Sequence, residues 1–367
     1  MDKKYWVALS SIEGLDSKFI IALFEYFGDM ERAFNSDVGE LIEFSVTTGA
    51  YKKKVDEFIS RRDKIDVDNV YNSVVGRGLK ILLYSDDDYP YMLKNIPDPP
   101  AVLYYKGDFS VCNLKRTLAV VGSRRISRNG QDSLKLVMSG LAGTDLCIVS
   151  GLATGADTLA HKIALDNGLK TIGVIGGGMD NLYPASNKGL FEEIIKGNGV
   201  VMSEYFPTFE PLPFRFPQRN RIVSGLSYGT LVVEAALKSG ALITANLTLE
   251  QGRELMCIPG LITNPNTAGI YKMIKTGAHI VTESDDILNA LGWTINKQMP
   301  LFENKPNNSL SVDEEKIIHS IEVEPKSFDE IQQETGIDVS ELLVYLTNLE
   351  LNGLIEQTVG DRYKIIV

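Results

Sequence analysis

The residues best placed to do chemistry in this 367-residue chain are cations and small residues in short loops. The densest stretch is Phe214-Arg215-Phe216-Pro217-Gln218-Arg219-Asn220-Arg221, where three arginines alternate with two phenylalanines and an asparagine. Cations track a phosphate backbone and aromatic rings stack on bases, so this mixture suits a single nucleic-acid strand. Val120-Val121-Gly122-Ser123-Arg124-Arg125 reads as a strand end and a turn. Gly122 and Ser123 let a ligand approach the backbone, and Arg124 can fork onto a phosphate. Ser150-Gly151-Leu152-Ala153-Thr154-Gly155-Ala156-Asp157 is a second strand end. It runs into a helix whose first amides offer an anion seat. A third loop, Gly176-Gly177-Gly178-Met179-Asp180-Asn181-Leu182-Tyr183-Pro184 with Asn187, needs its glycines for turning, but a turn alone does not call for the polar and aromatic residues. In the fourth, Lys238 sits at a strand end and Ser239-Gly240 opens a helix, which is again phosphate-seat chemistry. Four such loops converging on one rim of a sheet would hold an extended polyanion.

Other chemistries are poorly supplied. There is no G-x-G-x-x-G fingerprint and no G-x-x-x-x-G-K-[ST] loop, so the usual dinucleotide and nucleotide signatures are missing. Gly225-Leu226-Ser227-Tyr228-Gly229 matches G-x-S-x-G, but a nucleophile elbow needs a strand before the serine and a helix after it. Here a helix-like RNRIVSG precedes and a strand-like TLVVEA follows, so a plain helix-to-strand turn is expected. Asp157 and His161, four apart, would share one helix face, either as an acid–base pair or as capping and packing groups. The three histidines and three cysteines are too scattered for a metal site. No residue calls for a cofactor.

These loops need a scaffold. From about Val70 to Leu291, short apolar runs (LKILLY, TLAVVGS, CIVSG, TIGVIGG, GVVMSE, TLVVEA, ELMCIPG) alternate with helical segments at Gln131–Ala142, Asp157–Asn167 and Lys188–Gly197. That alternation predicts an α/β fold with a parallel sheet covered on both faces, whose ligands bind beyond the carboxyl ends of the strands. Residues 1–64 read as helices, with Gly14 and Gly28 as punctuation. The pattern around Ile12-Glu13-Gly14-Leu15 resembles a helix-hairpin-helix or SAM-like unit, which serves either packing and protein contact or contact with a DNA backbone. The core is expected over 65–295, a linker over 296–311, and three helices with a β tail turning at Gly360-Asp361 over 312–367. The last is the winged-helix layout.

Charge sorts these parts. The whole chain carries −11, but residues 307–367 hold thirteen acids and four bases, and the rest is nearly neutral. The third helix of the tail, DVSELLVYLTNLELNG, contains no Lys or Arg. It is therefore unsuited to duplex DNA and suited to protein contact or regulation. Within the body, Lys115, Arg116, Arg124, Arg125 and Arg128 fall in fourteen residues without an acid, a local patch that attracts phosphate whatever the total. No apolar run reaches membrane-span length, the apolar stretch after the N-terminal lysines is too short for a signal peptide, and Cys112, Cys147 and Cys257 show no pairing pattern. A cytoplasmic protein without a membrane partner is expected.

The motifs VVGSRRIS, SGLATGADTLAH, GVIGGGMDNLYPASN, SEYFP, FPQRNRIVSGLS, LVVEAALKSGALITA and GRELMCIPG, in this order, closely resemble the DprA (Smf) family of bacterial DNA-processing proteins. The resemblance covers roughly Tyr89 to Leu288. It implies an extended Rossmann-like core between a SAM-like and a winged-helix domain. It also implies a non-enzymatic homodimer that binds and shields single-stranded DNA and loads the recombinase RecA during natural transformation. By motif position it puts the DNA pocket on Arg124, Lys238, Arg219 and Arg221, with Phe216 against a base. With their neighbours the candidate DNA-binding set is Ser123, Arg124, Arg125, Gly151, Phe216, Arg219, Asn220, Arg221, Lys238, Ser239 and Gly240. Ala156 and Ala241 depart from the family, which usually has a bulkier aliphatic and often a serine there. Single-strand binding loses about 0.7 in the slope of log K against log salt per phosphate neutralised, so four engaged cations predict a slope near −3 (roughly).

Two other functions fit parts of the sequence. Tyr228-Gly229-Thr230 with Glu234 is similar to the GGxGTxxE loop of nucleoside monophosphate phosphoribohydrolases, although Ser227-Tyr228 replaces the glycine pair and Glu234 falls one residue late. A pure protein-assembly factor suits the acidic tail but leaves the basic loops without a purpose.

Overall fold

The computed structural model describes residues 3–112, 114–293, 311–322, 324–351, 354–358 and 362–365, which fall into two units, 1–295 and 296–367. The linker expected at 296–311 lies outside the described residues except for Ser311, as does the turn at Gly360-Asp361.

The first unit opens with six helices: α1 (Lys3–Ser10), α2 (Ser17–Phe27), α3 (Met30–Asn35), α4 (Val38–Thr47), α5 (Lys52–Arg62) and α6 (Val67–Val75). Local chemistry marks their ends. Asp16 caps α2 by accepting the Phe19 amide, and Gly28 closes it in the left-handed conformation. Asp37 and Glu40 form a reciprocal capping box on α4. The helical segment thus runs past residue 64. It also shares an apolar core with the sheet, in which Trp6, Phe19, Phe44 and Phe58 pack with Leu83, Val102, Tyr104 and Phe206.

The sheet has nine strands: β1 (Lys80–Leu83), β2 (Val102–Gly107), β3 (Thr117–Val121), β4 (Cys147–Ser150), β5 (Lys170–Val174), β6 (Gly199–Ser203), β7 (Gly229–Val232), β8 (Glu254–Cys257) and β9 (His279–Ile280). Their order is β1-β2-β6-β5-β4-β3-β7-β8-β9. The seven strands from β6 to β9 are parallel, as the apolar runs predict, and β3, β4, β6 and β7 are buried throughout. The wholly parallel sheet expected from the alternation is corrected at one edge, where β1 and β2 form an antiparallel pair and β2 runs antiparallel to β6. Helices α7 (Tyr91–Lys94), α8 (Arg128–Ser139), α9 (Ala156–Asp166), α10 (Lys188–Glu193), α11 (Arg215–Gly225), α12 (Gly240–Glu250), α13 (Ala268–Lys275) and α14 (Ser284–Ala290) connect and cover the strands.

The chain leaves β3 toward β4 on one side and later leaves its neighbour β7 toward β8 on the other. Loops on either side of such a divergence part, and a crevice opens beyond the strand ends. The predicted helix-to-strand turn is found, with Ser227 buried between α11 and β7 and its hydroxyl donating to the Val223 carbonyl at 3.0 Å.

The second unit contains α15 (Val312–Ser320), β10 (Lys326–Ser327), α16 (Phe328–Thr335), α17 (Val339–Leu351), β11 (Ile355–Thr358) and β12 (Arg362–Ile365). The three strands form a small antiparallel sheet, and Ile317, Ile331, Leu342, Leu346, Leu349 and Ile355 make its core. This is the expected winged helix. Among the described residues no helix is long and apolar enough to cross a membrane.

Candidate nucleic-acid interface

A cavity of about 760 Å³ opens at the crevice between β3 and β7. All four anticipated loops and α11 meet there, the third loop through Tyr183. The loop after β3 contributes Ser123, Arg124 and Arg125, the loop after β4 contributes Gly151, and the loop after β7 contributes Ser239 and Gly240. Helix α11 contributes Phe216, Arg219 and Asn220. Lys238 lies between two lining residues, Ala236 and Ser239, and is exposed.

The exposed cations are Arg124, Arg125 and Lys238. The Arg124 guanidinium lies 5.5 Å from the centre of the Phe216 ring, and the Tyr183 ring meets the Phe216 ring edge-on with 5.5 Å between centres. Tyr183 itself is 52% exposed. The result is a row of cation, ring and ring that presents flat surfaces and positive charge together. The Ser123 hydroxyl accepts the Arg125 amide at 3.1 Å and so fixes the turn that carries both arginines. At the start of α12 the Ser239 hydroxyl caps nothing and is buried with no partner, beside the first amides of an eleven-residue helix. Those are the features of an open anion seat.

The seat expected at α9 is different. The Asp157 carboxylate accepts the amides of Gly151 (3.1 Å) and Ala153 (3.4 Å), and the Ser123 carbonyl accepts that of Ala156. The helix therefore carries its own anion. The loop is pinned again by Asn187, whose amide donates to the Leu152 carbonyl at 2.9 Å and to the Thr158 hydroxyl at 2.8 Å. This holds Leu152 at φ +53°, a conformation a branched side chain does not adopt unaided.

Arg219, expected as a phosphate ligand, is 3% exposed. Its Nη1 donates to the carbonyls of Gly151 and Val174. Burial lowers its pKa to about 10 against the pull of Asp157. Burial also raises the Asp157 carboxyl, while Arg219 and the amides of Ala153 and Gly151 draw it down. Arg219 thus lines the floor of the cavity, with Nη1 committed to backbone carbonyls and Nε buried without a partner. Arg221, also expected at the DNA, sits on the other side of α11, bound to Asp98 and Glu204.

The Asp157–His161 pair does not form. His161 Nδ1 bonds the Thr171 hydroxyl at 2.7 Å, and that hydroxyl donates to the Ile148 carbonyl, so Nδ1 carries the proton. Burial, then Arg219, lowers the pKa of His161 to about 3, so the ring is neutral. Glu234 is likewise engaged. It accepts the Ser127 amide at 3.0 Å, the Ser127 hydroxyl at 2.5 Å and the Asn264 side chain at 3.3 Å, at the start of α8. Among the described residues no cluster of His, Cys, Asp or Glu could hold a metal ion.

Sequence reasoning left Tyr183, Ile243, Thr244 and Asn266 out of the site, although all four line the cavity. Tyr183 was signalled by its place in a loop whose aromatic residue a turn does not need. Asn266 gave no signal, because only the fold brings its loop to this crevice.

Together the fold and cavity define a Rossmann-like protein with a strand-end site of cations and aromatic rings. Comparison with known proteins narrows that class. The family model of DNA recombination-mediator protein A matches residues 80–292, and that of the DprA winged helix domain matches residues 303–361. The chain is 46% identical over 203 residues to the DNA processing protein DprA of Streptococcus pneumoniae, covering 55% of this chain and 71% of that protein. It is 37% identical over 281 residues to protein Smf of Escherichia coli, covering 76% of this chain and 75% of that protein. The S. pneumoniae DprA structure superposes with a TM-score of 0.69 at 38% identity, over 79% of this chain and 98% of that one. DNA processing protein A of Helicobacter pylori, whose structure addresses that protein's single-stranded DNA binding mode, gives 0.52 at 28% identity, over 58% and 95%. The chain belongs to the DprA/Smf family of recombination mediators.

Proposed function

We propose that this protein is a non-enzymatic recombination mediator that binds and shields single-stranded DNA and, as a homodimer, loads RecA onto it in natural transformation. The observation that carries the reading is the row of Arg124, Phe216 and Tyr183 across one cavity, beside the open start of α12. Rings accept any base by its face, and the cations Arg124, Arg125 and Lys238 accept the backbone, so binding is independent of sequence. The relationship to the H. pylori protein supports the same ligand. A phosphoribohydrolase would need Glu234 free to attend a sugar, and its carboxylate is spent on Ser127 and Asn264. A pure assembly role would leave the cation and ring row without use.

The test is binding of an oligothymidylate by the wild type and by Arg124→Ala/Lys238→Ala at several salt concentrations. With three cations exposed and Arg219 and Arg221 engaged elsewhere, the slope of log K against log salt becomes about −2 rather than −3. The double variant should lose about 1.4 of it. Unchanged binding by that variant, or base release from a nucleoside monophosphate by the wild type, would remove this reading.

A further inference from the structure

Helix α11 is shared by two cavities. Phe216, Arg219, Asn220 and Val223 face the strand-end cavity at the spacing of one helix face. Arg215, Gln218 and Arg221, with Phe214 just before the helix, occupy the opposite face, against a second cavity of about 390 Å³ that Glu13, Asp98 and Glu204 also line.

The start of α11 has no side-chain cap of its own. Arg215 fixes it instead, with a side chain only 4% exposed. Its Nη1 donates to the Glu210 carbonyl at 2.5 Å and its Nη2 to Glu13 Oε1 at 2.6 Å. The guanidinium also lies 5.0 Å from the ring centres of Tyr205 and Phe209 and 5.6 Å from that of Phe214. Nearly two turns on, Arg221 is held as firmly. Nε donates to Asp98 Oδ2 at 3.0 Å, and the two Nη atoms donate to the two oxygens of Glu204 at 2.9 and 2.6 Å. The Arg221 and Glu204 side chains are 11% and 10% exposed. A forked pair of this kind fixes direction as well as distance. Moving Arg221 to a phosphate would strand Glu204 as a nearly buried, unpaired charge, which is strongly unfavourable.

Resting on the single-stranded DNA reading above, we propose that Arg215 and Arg221 are positioning residues. They touch no nucleic acid, and they hold α11 so that Phe216 and Asn220 meet the strand. Because Glu13 belongs to the turn between α1 and α2, the N-terminal helices help to place α11, which lines the strand-end cavity.

The test uses the full chain, a labelled oligothymidylate across a salt series, and hydrogen exchange of α11 in the absence of DNA. Arg221→Gln should weaken binding about tenfold, a typical coupling between a remote group and a site, with the salt slope unchanged. The α11 amides should exchange faster while the sheet keeps its protection. Arg221→Lys should recover part of the affinity. Glu13→Gln, at a position 61% exposed and too open to threaten the fold, should shift both readouts the same way by less. A slope lowered by about 0.7 in Arg221→Gln would make it a phosphate contact and overturn the proposal. Unaltered affinity and exchange would overturn it equally. If the wild type does not bind the oligonucleotide, the DNA reading fails by itself, and the exchange of α11 still decides whether these arginines hold the helix.

Discussion

The Gly151 α-carbon faces the Arg219 guanidinium so closely that an added Cβ would stand 2.6 Å from both Cζ and Nη2. Arg219 cannot swing aside, because its Nη1 is committed to the carbonyls of Gly151 and Val174. Gly151→Ala should therefore cost ~1–3 kcal/mol, as overpacking a filled site does, measured as a lower urea midpoint with the same m-value. His161 makes a second residue-scale prediction. Its folded pKa is about 3 against an ordinary 6.5. The unfolded chain takes up a proton as pH falls below 6.5, and the folded chain refuses it until about 3. The stability is thus complete above pH 6.5 and is lost on acidification through that window, at up to ~1.4 kcal/mol per pH unit. Asp157, with its raised carboxyl, acts in the opposite sense, and only toward the acid end. Urea unfolding at pH 7, 6 and 5 should show a decline that His161→Gln largely removes. A decline that survives the substitution would assign it to other groups.

At the scale of elements, α11 divides what the sequence presented as one cluster. Read as a loop, the run from Phe214 to Arg221 offers all three arginines to a ligand. Wound as a helix, it turns Arg219 to the floor of one cavity and Arg215 and Arg221 to the other. The composition was legible in the sequence. The start of the helix, and so its phase, was not, because neither a capping side chain nor a clean apolar stripe marks it. The covered strands were legible for the opposite reason, since strands buried on both faces are continuous apolar runs. The strand β2 was harder to find, because Tyr105, Lys106 and Gly107 at its half-buried end break the run. Phe216→Ala should weaken single-strand binding by ~1–3 kcal/mol, the worth of one base stack, and leave the salt slope unchanged. Fluorescence anisotropy at two salt concentrations separates this from a charge effect.

For the whole molecule, charge is the informative quantity. The unit with the winged helix carries most of the net negative charge, and α17 presents Val339, Leu343 and Val344 to solvent where a duplex-reading helix would present cations. Truncation after residue 293 should therefore retain single-strand binding and raise it at low salt, because a polyanion is then repelled less. A loss of affinity in that variant would assign the winged helix to the DNA. The topology has a consequence of its own. The crevice needs β3 and β7 side by side, and their pairing joins Leu118 to Gly229 across more than a hundred residues. A nascent chain that has left the ribosome only as far as β6 can pair β3, β4, β5 and β6, yet it has no crevice, no α12 and no Lys238. The candidate site is thus complete only late in synthesis, so on the single-strand reading half-made copies should not compete for DNA.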